Sequence, residues 1–222
     1  MVLKLHGSPT STCSRRVATV LFEKKIPFEL VLVDMAKGEH KSAAHLENQP
    51  FGQVPYIDDD GFILHESRAI CRYLESKYPN QGPKLVPSTA DVKATAIFEQ
   101  AASIEISNFD PPASRAAVEA IFKPRYFNLP KDEAKYAEAI KMLSDKLDGY
   151  ERILSKQKYL AGNEITLADL FHLPYGLMLA QGGSDLMTSK GPNVTRWWQD
   201  ISSRPAWQAV KDGIPTGTTT FN

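Results

Sequence analysis

The chain has 222 residues, 42% of them hydrophobic, and its 26 basic residues balance 26 acidic ones, which suits one large domain or two small ones with an ordinary core. The balanced charge leaves no field to attract nucleic acid or acidic lipid, and no segment has the apolar run of a signal peptide or a membrane helix. Two cysteines, Cys13 and Cys71, with no Cys-x-x-Cys pair, argue against a disulfide scaffold or a structural zinc site, so the expectation is a reduced, cytoplasmic protein without a metal.

In chain order, Val2-Leu3-Lys4-Leu5 reads as a short first strand. Ser11 to Lys25 carries Val17, Val20 and Leu21 at helical spacing, and Pro27 ends it. Phe28 to Val33 is the second strand, which closes a βαβ unit. Tyr56-Ile57 and Phe62-Ile63-Leu64 flank Asp58-Asp59-Asp60-Gly61, a hairpin signal, and a helix follows from Glu66 to Tyr78. This βαβ–ββα order is that of a thioredoxin-like domain, expected over residues 1–80. Pro79-Asn80-Gln81-Gly82-Pro83 marks a break, with a linker expected at 81–88. From 89 to 222 no strand pattern appears, so the second domain reads as all-helical. Ser88 with Asp91 suits a capping box opening a helix to about Asn108, which Pro111-Pro112 should break. Residues 131–156 space Ala137, Ile140, Leu143, Leu147, Tyr150 and Leu154 as one amphipathic helix. Thr166 and Asp169 suit a reciprocal cap, with Ile165 and Leu170 at the staple positions, a stability element. Thr216 to Asn222 reads as a loose tail. The fold class is therefore an α/β thioredoxin-like N-terminal domain plus an all-α C-terminal domain.

Two segments carry the chemistry. In Pro50-Phe51-Gly52-Gln53-Val54-Pro55 the second proline precedes a strand and has no N–H to donate to the ladder. A cis Val54–Pro55 bond, the expectation here, turns the Val54 N–H and C=O outward toward an extended peptide. Glu66-Ser67 opens a helix, where free N–H groups and the positive dipole end favour a carboxylate. At the start of the first helix stand Ser8, Thr10, Ser11, Thr12, Cys13 and Ser14. On local grounds each reads first as a turn or cap residue.

Further motifs are Ser11-Thr12 ahead of Arg15-Arg16-Val17, Gly38-Glu39-His40-Lys41, Gln49 to Pro55, and His65-Glu66-Ser67-Arg68-Ala69-Ile70. Later come Tyr159-Leu160-Ala161-Gly162 and Thr166-Leu167-Ala168-Asp169-Leu170. In order and spacing, these make almost the whole chain resemble a glutathione transferase, and the N-terminal half is similar to the phi class of plants and fungi.

The resemblance implies that Ser11 is the catalytic hydroxyl, supported by Thr12, and that glutathione is the co-substrate. It implies a glycyl-carboxylate site at His40 and Lys41, and glutamyl contacts at Gln53, Glu66 and Ser67. The glutathione cysteinyl backbone would pair with Val54, ahead of Pro55. Phe122, Tyr126 and Met178 would line a pocket for hydrophobic electrophiles, expected between the domains. Phe51 would plug into a partner subunit, which implies a homodimer. Cys13 lies two positions past Ser11, about 200° around a helix, and reads as a packing residue. His172, Trp197, Trp198 and Trp207 read as structural. The expected activity is attack of glutathione thiolate on electrophiles, with some hydroperoxide reduction. The alternative is a non-catalytic carrier of hydrophobic ligands in the same cleft. A protein-assembly domain is a further rival. So is a thiol reductase, which would want cysteine at the Ser11 position.

Overall fold

The structure is a computed structural model and describes residues 2–221. Its contacts divide it into two compact units, residues 2–85 with 204–221, and residues 86–203.

Strand β1 (Leu3–Gly7) alternates: Leu3, Leu5 and Gly7 are buried, while Lys4 and His6 face the other way. Helix α1 (Thr12–Glu23) crosses over to β2 (Phe28–Leu32), which pairs parallel with β1. Six residues form α2 (Ala43–Asn48), whose N-cap Ser42 accepts from the His45 N–H at 3.3 Å. β3 (Tyr56–Asp59) runs antiparallel to β1, and β4 (Phe62–His65) antiparallel to β3. Their hairpin turns through Asp60 (φ 56°) and Gly61 (φ 86°), both left-handed as a two-residue turn of this kind needs. Asp58 Oδ1 accepts from the Gly61 N–H at 2.8 Å. Helix α3 (Ser67–Lys77) packs on α1 and buries Ile70, Cys71 and Leu74, and α1 buries Val17, Val20 and Leu21. On the opposite face, His6 stacks on Tyr56 with centroids 4.2 Å apart, and the His45 ring of α2 meets Tyr56 edge-on. The βαβ–ββα order is thus the observed one.

The expected break after Pro79 does not release the chain. Buried Lys24 pairs with Glu75 at 2.8 Å and donates to the Pro83 carbonyl, and Glu75 accepts from the Leu85 N–H at 3.1 Å. Residues up to 85 are thereby held on the first unit.

The second unit is helical: α4 (Val92–Ile104), α5 (Asp110–Ala117), α6 (Glu133–Leu154), α7 (Leu167–Leu170), α8 (Leu173–Gln181), α9 (Leu186–Ser189) and α10 (Pro192–Ser202). Three expectations are corrected here. The cap of α4 is Asp91, whose Oδ1 accepts from the Ala94 N–H at 3.0 Å; Ser88 closes only the turn before it. Pro111-Pro112 does not break the chain's helical course. A π-helical stretch, Glu105–Phe109, leads into α5, and the prolines occupy its first turn, where a missing N–H removes no intrahelical bond. The buried stripe of α6 starts at Ala139, and Ala137 is exposed.

The core of this unit is polar at its centre. The fully buried His172 donates from Nδ1 to the Ala168 carbonyl at 2.8 Å, since a carbonyl only accepts, and its Nε2 accepts from the Tyr150 hydroxyl at 3.0 Å. Trp197 stands edge-on to the same ring. Gly176 is required for space, because a Cβ there would lie 2.3 Å from the Trp198 ring. Asp169, fully buried, accepts from the Thr166 N–H at 2.9 Å and hydroxyl at 3.0 Å, the Leu160 N–H at 3.0 Å and Trp197 Nε1 at 2.9 Å. Burial pushes its pKa up, against the pull of these donors.

The tail is the fourth correction. Helix α11 (Pro205–Val210) lies on α1, Arg204 forks onto Glu23 at 2.5 and 2.7 Å, and the Ile214 N–H donates to the Pro9 carbonyl. Strand β5 (Gly217–Thr219) then pairs antiparallel with β2, which gives the sheet order β4-β3-β1-β2-β5. Pairing covers an otherwise open row of N–H and C=O groups on β2, and Phe221 sits edge-on to Phe22. Thr216 to Phe221 is therefore ordered on the first unit, while Asn222 lies outside the described residues.

Asp169→Ala leaves four buried donors without an acceptor. It should lower stability by about 3 kcal/mol or more, a fall of roughly 6–12 °C in Tm for a chain of this size. Calorimetry checks this, and a shift under about 2 °C would remove Asp169 as a stability element.

Candidate functional site

The sheet register decides which loops meet. Gly7 pairs with Leu32, His6 with Tyr56, and Tyr56 with His65. The carboxyl ends of β1, β2 and β4 and the start of β3 therefore share one edge of the sheet. From that edge leave Ser8 to Thr12, the turn Glu39–Lys41, residues 51–55, and Glu66-Ser67.

Ser11 is the N-cap of α1, with extended backbone (φ −63°, ψ 133°). Its Oγ accepts from the Ser14 N–H at 3.3 Å. A hydroxyl has one hydrogen and two lone pairs, so this cap occupies a lone pair and leaves the hydrogen available. Capping and donation to a ligand are compatible in one side chain. Thr12 is the first helical residue and is buried. Cys13 is half-buried with its Sγ 3.4 Å from Arg16 Nη1, whereas burial pushes the Cys71 thiol up to about 12.

The segment before β3 is held by side chains of α2 and its flanks. Gln49 is buried, and its Oε1 accepts from the N–H groups of Phe51 at 2.8 Å and Gln53 at 3.2 Å. His45 Nε2 donates to the Gln53 carbonyl at 2.7 Å. Lys41 Nζ donates to the Phe51 carbonyl at 3.1 Å and lies over Gly52, where a Cβ would approach it to 2.7 Å and φ is +60°. The Val54–Pro55 bond is cis. Among the described residues, neither the N–H nor the C=O of Val54 makes a backbone hydrogen bond. The Gln53 side chain is exposed. His40 is half-buried, and burial, aided by the Lys41 charge, lowers its pKa below the ordinary histidine value.

At the start of α3, Glu66 holds φ 72° and ψ 105°. A non-glycine residue in that region stores about 1–3 kcal/mol, and such residues cluster at ligand clamps and active sites. Glu66 is exposed. Ser67 is buried, and its Oγ accepts from Arg16 Nη1 at 3.0 Å. Phe51 stands at the loop tip, 64% exposed, edge-on to His65. The residues expected to line an electrophile pocket lie in the helical unit. Phe122 and Tyr126 have ring centroids 6.0 Å apart on the π-helical stretch Val118–Phe127, with Tyr126 exposed, and Met178 of α8 is buried. Sequence reasoning missed His45, Gln49 and Arg16 as supports of this edge. Gln49 and Arg16 sit inside the motifs above and His45 between two of them, but nothing local shows which carbonyl or hydroxyl each will meet.

A thioredoxin-like sheet with this edge, joined to a helical unit, defines the glutathione-transferase fold, and sequence comparison agrees. Residues 5–83 match the family "Glutathione S-transferase, N-terminal domain", and residues 109–205 match "Glutathione S-transferase, C-terminal domain". Glutathione S-transferase PM239X14 of Arabidopsis thaliana is 51% identical over 200 residues, 89% of this chain and 90% of that one. Glutathione S-transferase hmp2 of Hypomyces subiculosus is 45% identical over 93% of this chain and 96% of that one. The crystal structure of glutathione transferase F7 from Populus trichocarpa superposes with a TM-score of 0.91 at 38% identity, covering 96% of this chain and 100% of that one. The chain belongs to the glutathione S-transferase family. The relatives named here are plant and fungal, in keeping with the phi-class resemblance.

Gln49→Ala leaves the Phe51 and Gln53 N–H groups without their acceptor. Stability should fall by about 2 kcal/mol, and both amides should exchange faster by NMR. Unchanged exchange at Phe51 and Gln53 would mean that the loop holds itself.

Proposed function

We propose that this chain conjugates glutathione to hydrophobic electrophiles, with the Ser11 hydroxyl stabilising the glutathione thiolate. The carrying observation is one sheet edge that offers a hydroxyl hydrogen at Ser11, an unpaired backbone at Val54 and a helix start at Ser67. In this reading glutathione lies extended along the edge. Val54 pairs with its cysteinyl backbone. The Ser67 hydroxyl and the first N–H groups of α3 take the γ-glutamyl carboxylate. Glu66 accepts from the ammonium, and Gln53 contacts the glutamyl end. Lys41 has three donors and gives one to Phe51, so it can also reach the glycyl carboxylate, and the His40 ring can add a donor.

The chemistry needs only a modest shift. A thiol of pKa about 8.5 is a few per cent ionised at pH 7, and lowering it by about two units takes roughly 2.7 kcal/mol. A hydrogen bond to a charged sulfur supplies about 1.5–3 kcal/mol. The α1 N-terminus adds up to about 2 kcal/mol in a partly buried geometry. The thiol proton leaves to solvent, the sulfur lone pair forms the new carbon–sulfur bond, and the leaving group departs with its electron pair. No side-chain base is required. Phe122, Tyr126 and Met178 supply apolar contacts for the electrophile, and Phe51 anchors a two-fold homodimer. A cytoplasmic setting suits the two free thiols.

Ser11→Ala should reduce turnover at pH 7 about thirtyfold, equivalent to roughly 2 kcal/mol, and move the acid limb of the pH–rate profile upward, with glutathione affinity little changed. A lower Tm with an unmoved profile would reduce Ser11 to a cap. Phe51→Ala should weaken self-association, as loss of a buried aromatic anchor does. A parent chain that is monomeric by light scattering at micromolar concentration would contradict the dimer.

A further inference from the structure

Arg16 is 1% exposed, and a guanidinium buried to that degree carries a large desolvation penalty. Its Nη1 donates to Ser67 Oγ at 3.0 Å and lies 3.4 Å from Cys13 Sγ. The contact joins the second turn of α1 to the first residue of α3, the two helices whose N-termini open on the site edge. Ser67 has one hydrogen and two lone pairs, and Arg16 has donors only. Arg16 therefore occupies a lone pair of Ser67 and cannot take its hydrogen. Among the described residues nothing else accepts that hydrogen, although Ser67 is itself buried. A donor polarised by a charge on its oxygen is strengthened for the next acceptor in the chain.

We propose that Arg16 is a positioning residue for the γ-glutamyl carboxylate of glutathione: through Ser67 it directs the hydroxyl hydrogen outward to that carboxylate and places a buried positive charge behind it. The inference rests on the carboxylate site proposed above at Ser67. It assigns to Arg16 the discrimination of glutathione from thiols that lack this carboxylate. Lysine would not substitute, because a point charge on a flexible stem does not reproduce the planar fork that reaches Ser67.

The test compares glutathione with 4-aminobutyryl-Cys-Gly, the same peptide without the γ-glutamyl carboxylate, on the parent, Arg16→Gln, Arg16→Lys and Cys13→Ala proteins. Arg16→Gln and Arg16→Lys should raise KM for glutathione about tenfold or more, the loss of one charge-assisted hydrogen bond, with kcat nearly unchanged. Their affinity for the analogue should match the parent's, and Cys13→Ala should alter neither ligand. If Arg16→Gln weakens both ligands equally, or leaves glutathione binding intact, the inference is overturned. Cys13→Ala reproducing the Arg16→Gln effect would assign the role to the wrong contact and also overturn it. A parent that binds both peptides equally well would instead remove the carboxylate site itself. If the Arg16 variants do not fold, the guanidinium nitrogen resonances of Arg16 in the parent decide. They should shift with glutathione and not with the analogue, and equal shifts would overturn the proposal.

Discussion

Everything functional in the first unit depends on β1 being held between β2 and β3 in one register. Leu3 and Leu5 meet Phe28, Leu30 and Ile57 in the interior, while Lys4 and His6 lie on the other face of the sheet. A slip of one residue would exchange these faces. Each large apolar side chain moved to water forfeits about 1.5–3 kcal/mol, so the register is strongly fixed. With it are fixed the level of Gly7, Leu32, Tyr56 and His65, and thus the meeting of the four loops that follow or precede them.

Given that edge, the site needs few special groups. Most of what a tripeptide would meet is backbone: an unpaired residue at Val54 and two helix starts. The side chains divide into those that would touch ligand and those that hold the backbone in place. Gln49, His45 and Lys41 satisfy the N–H and carbonyl groups of Phe51 and Gln53, while among the described residues the N–H and C=O of Val54 make no backbone hydrogen bond. The strain at Glu66 belongs to the same economy: the chain turns from β4 into α3 in one residue, so that the helix starts at the edge and not beyond it.

The sequence was most legible where the signal is local. The βαβ period, the Asp60-Gly61 turn, the Thr166–Asp169 pair and the cluster of hydroxyls ahead of α1 all act over a few residues, and each appears in the structure. Where partners lie far apart in the chain, it was not legible. β5 is three residues long and means nothing until it meets β2. Arg16 and Ser67 are brought together only by the packing of α1 on α3. The Pro111-Pro112 pair was misread because a π-helical stretch changes the register of backbone bonds, which side-chain periodicity does not reveal, and the α4 cap because Ser88 and Asp91 are both capping residue types and residue type alone does not say which one caps.

The central claim is that the N-cap hydroxyl of α1 lowers the pKa of bound glutathione. Ultraviolet absorbance of the thiolate, titrated with the parent protein saturated with glutathione and referenced to protein alone, measures it directly. The account predicts half-ionisation about two units below the free thiol value of roughly 8.5. A bound thiol that titrates at the free value would contradict it.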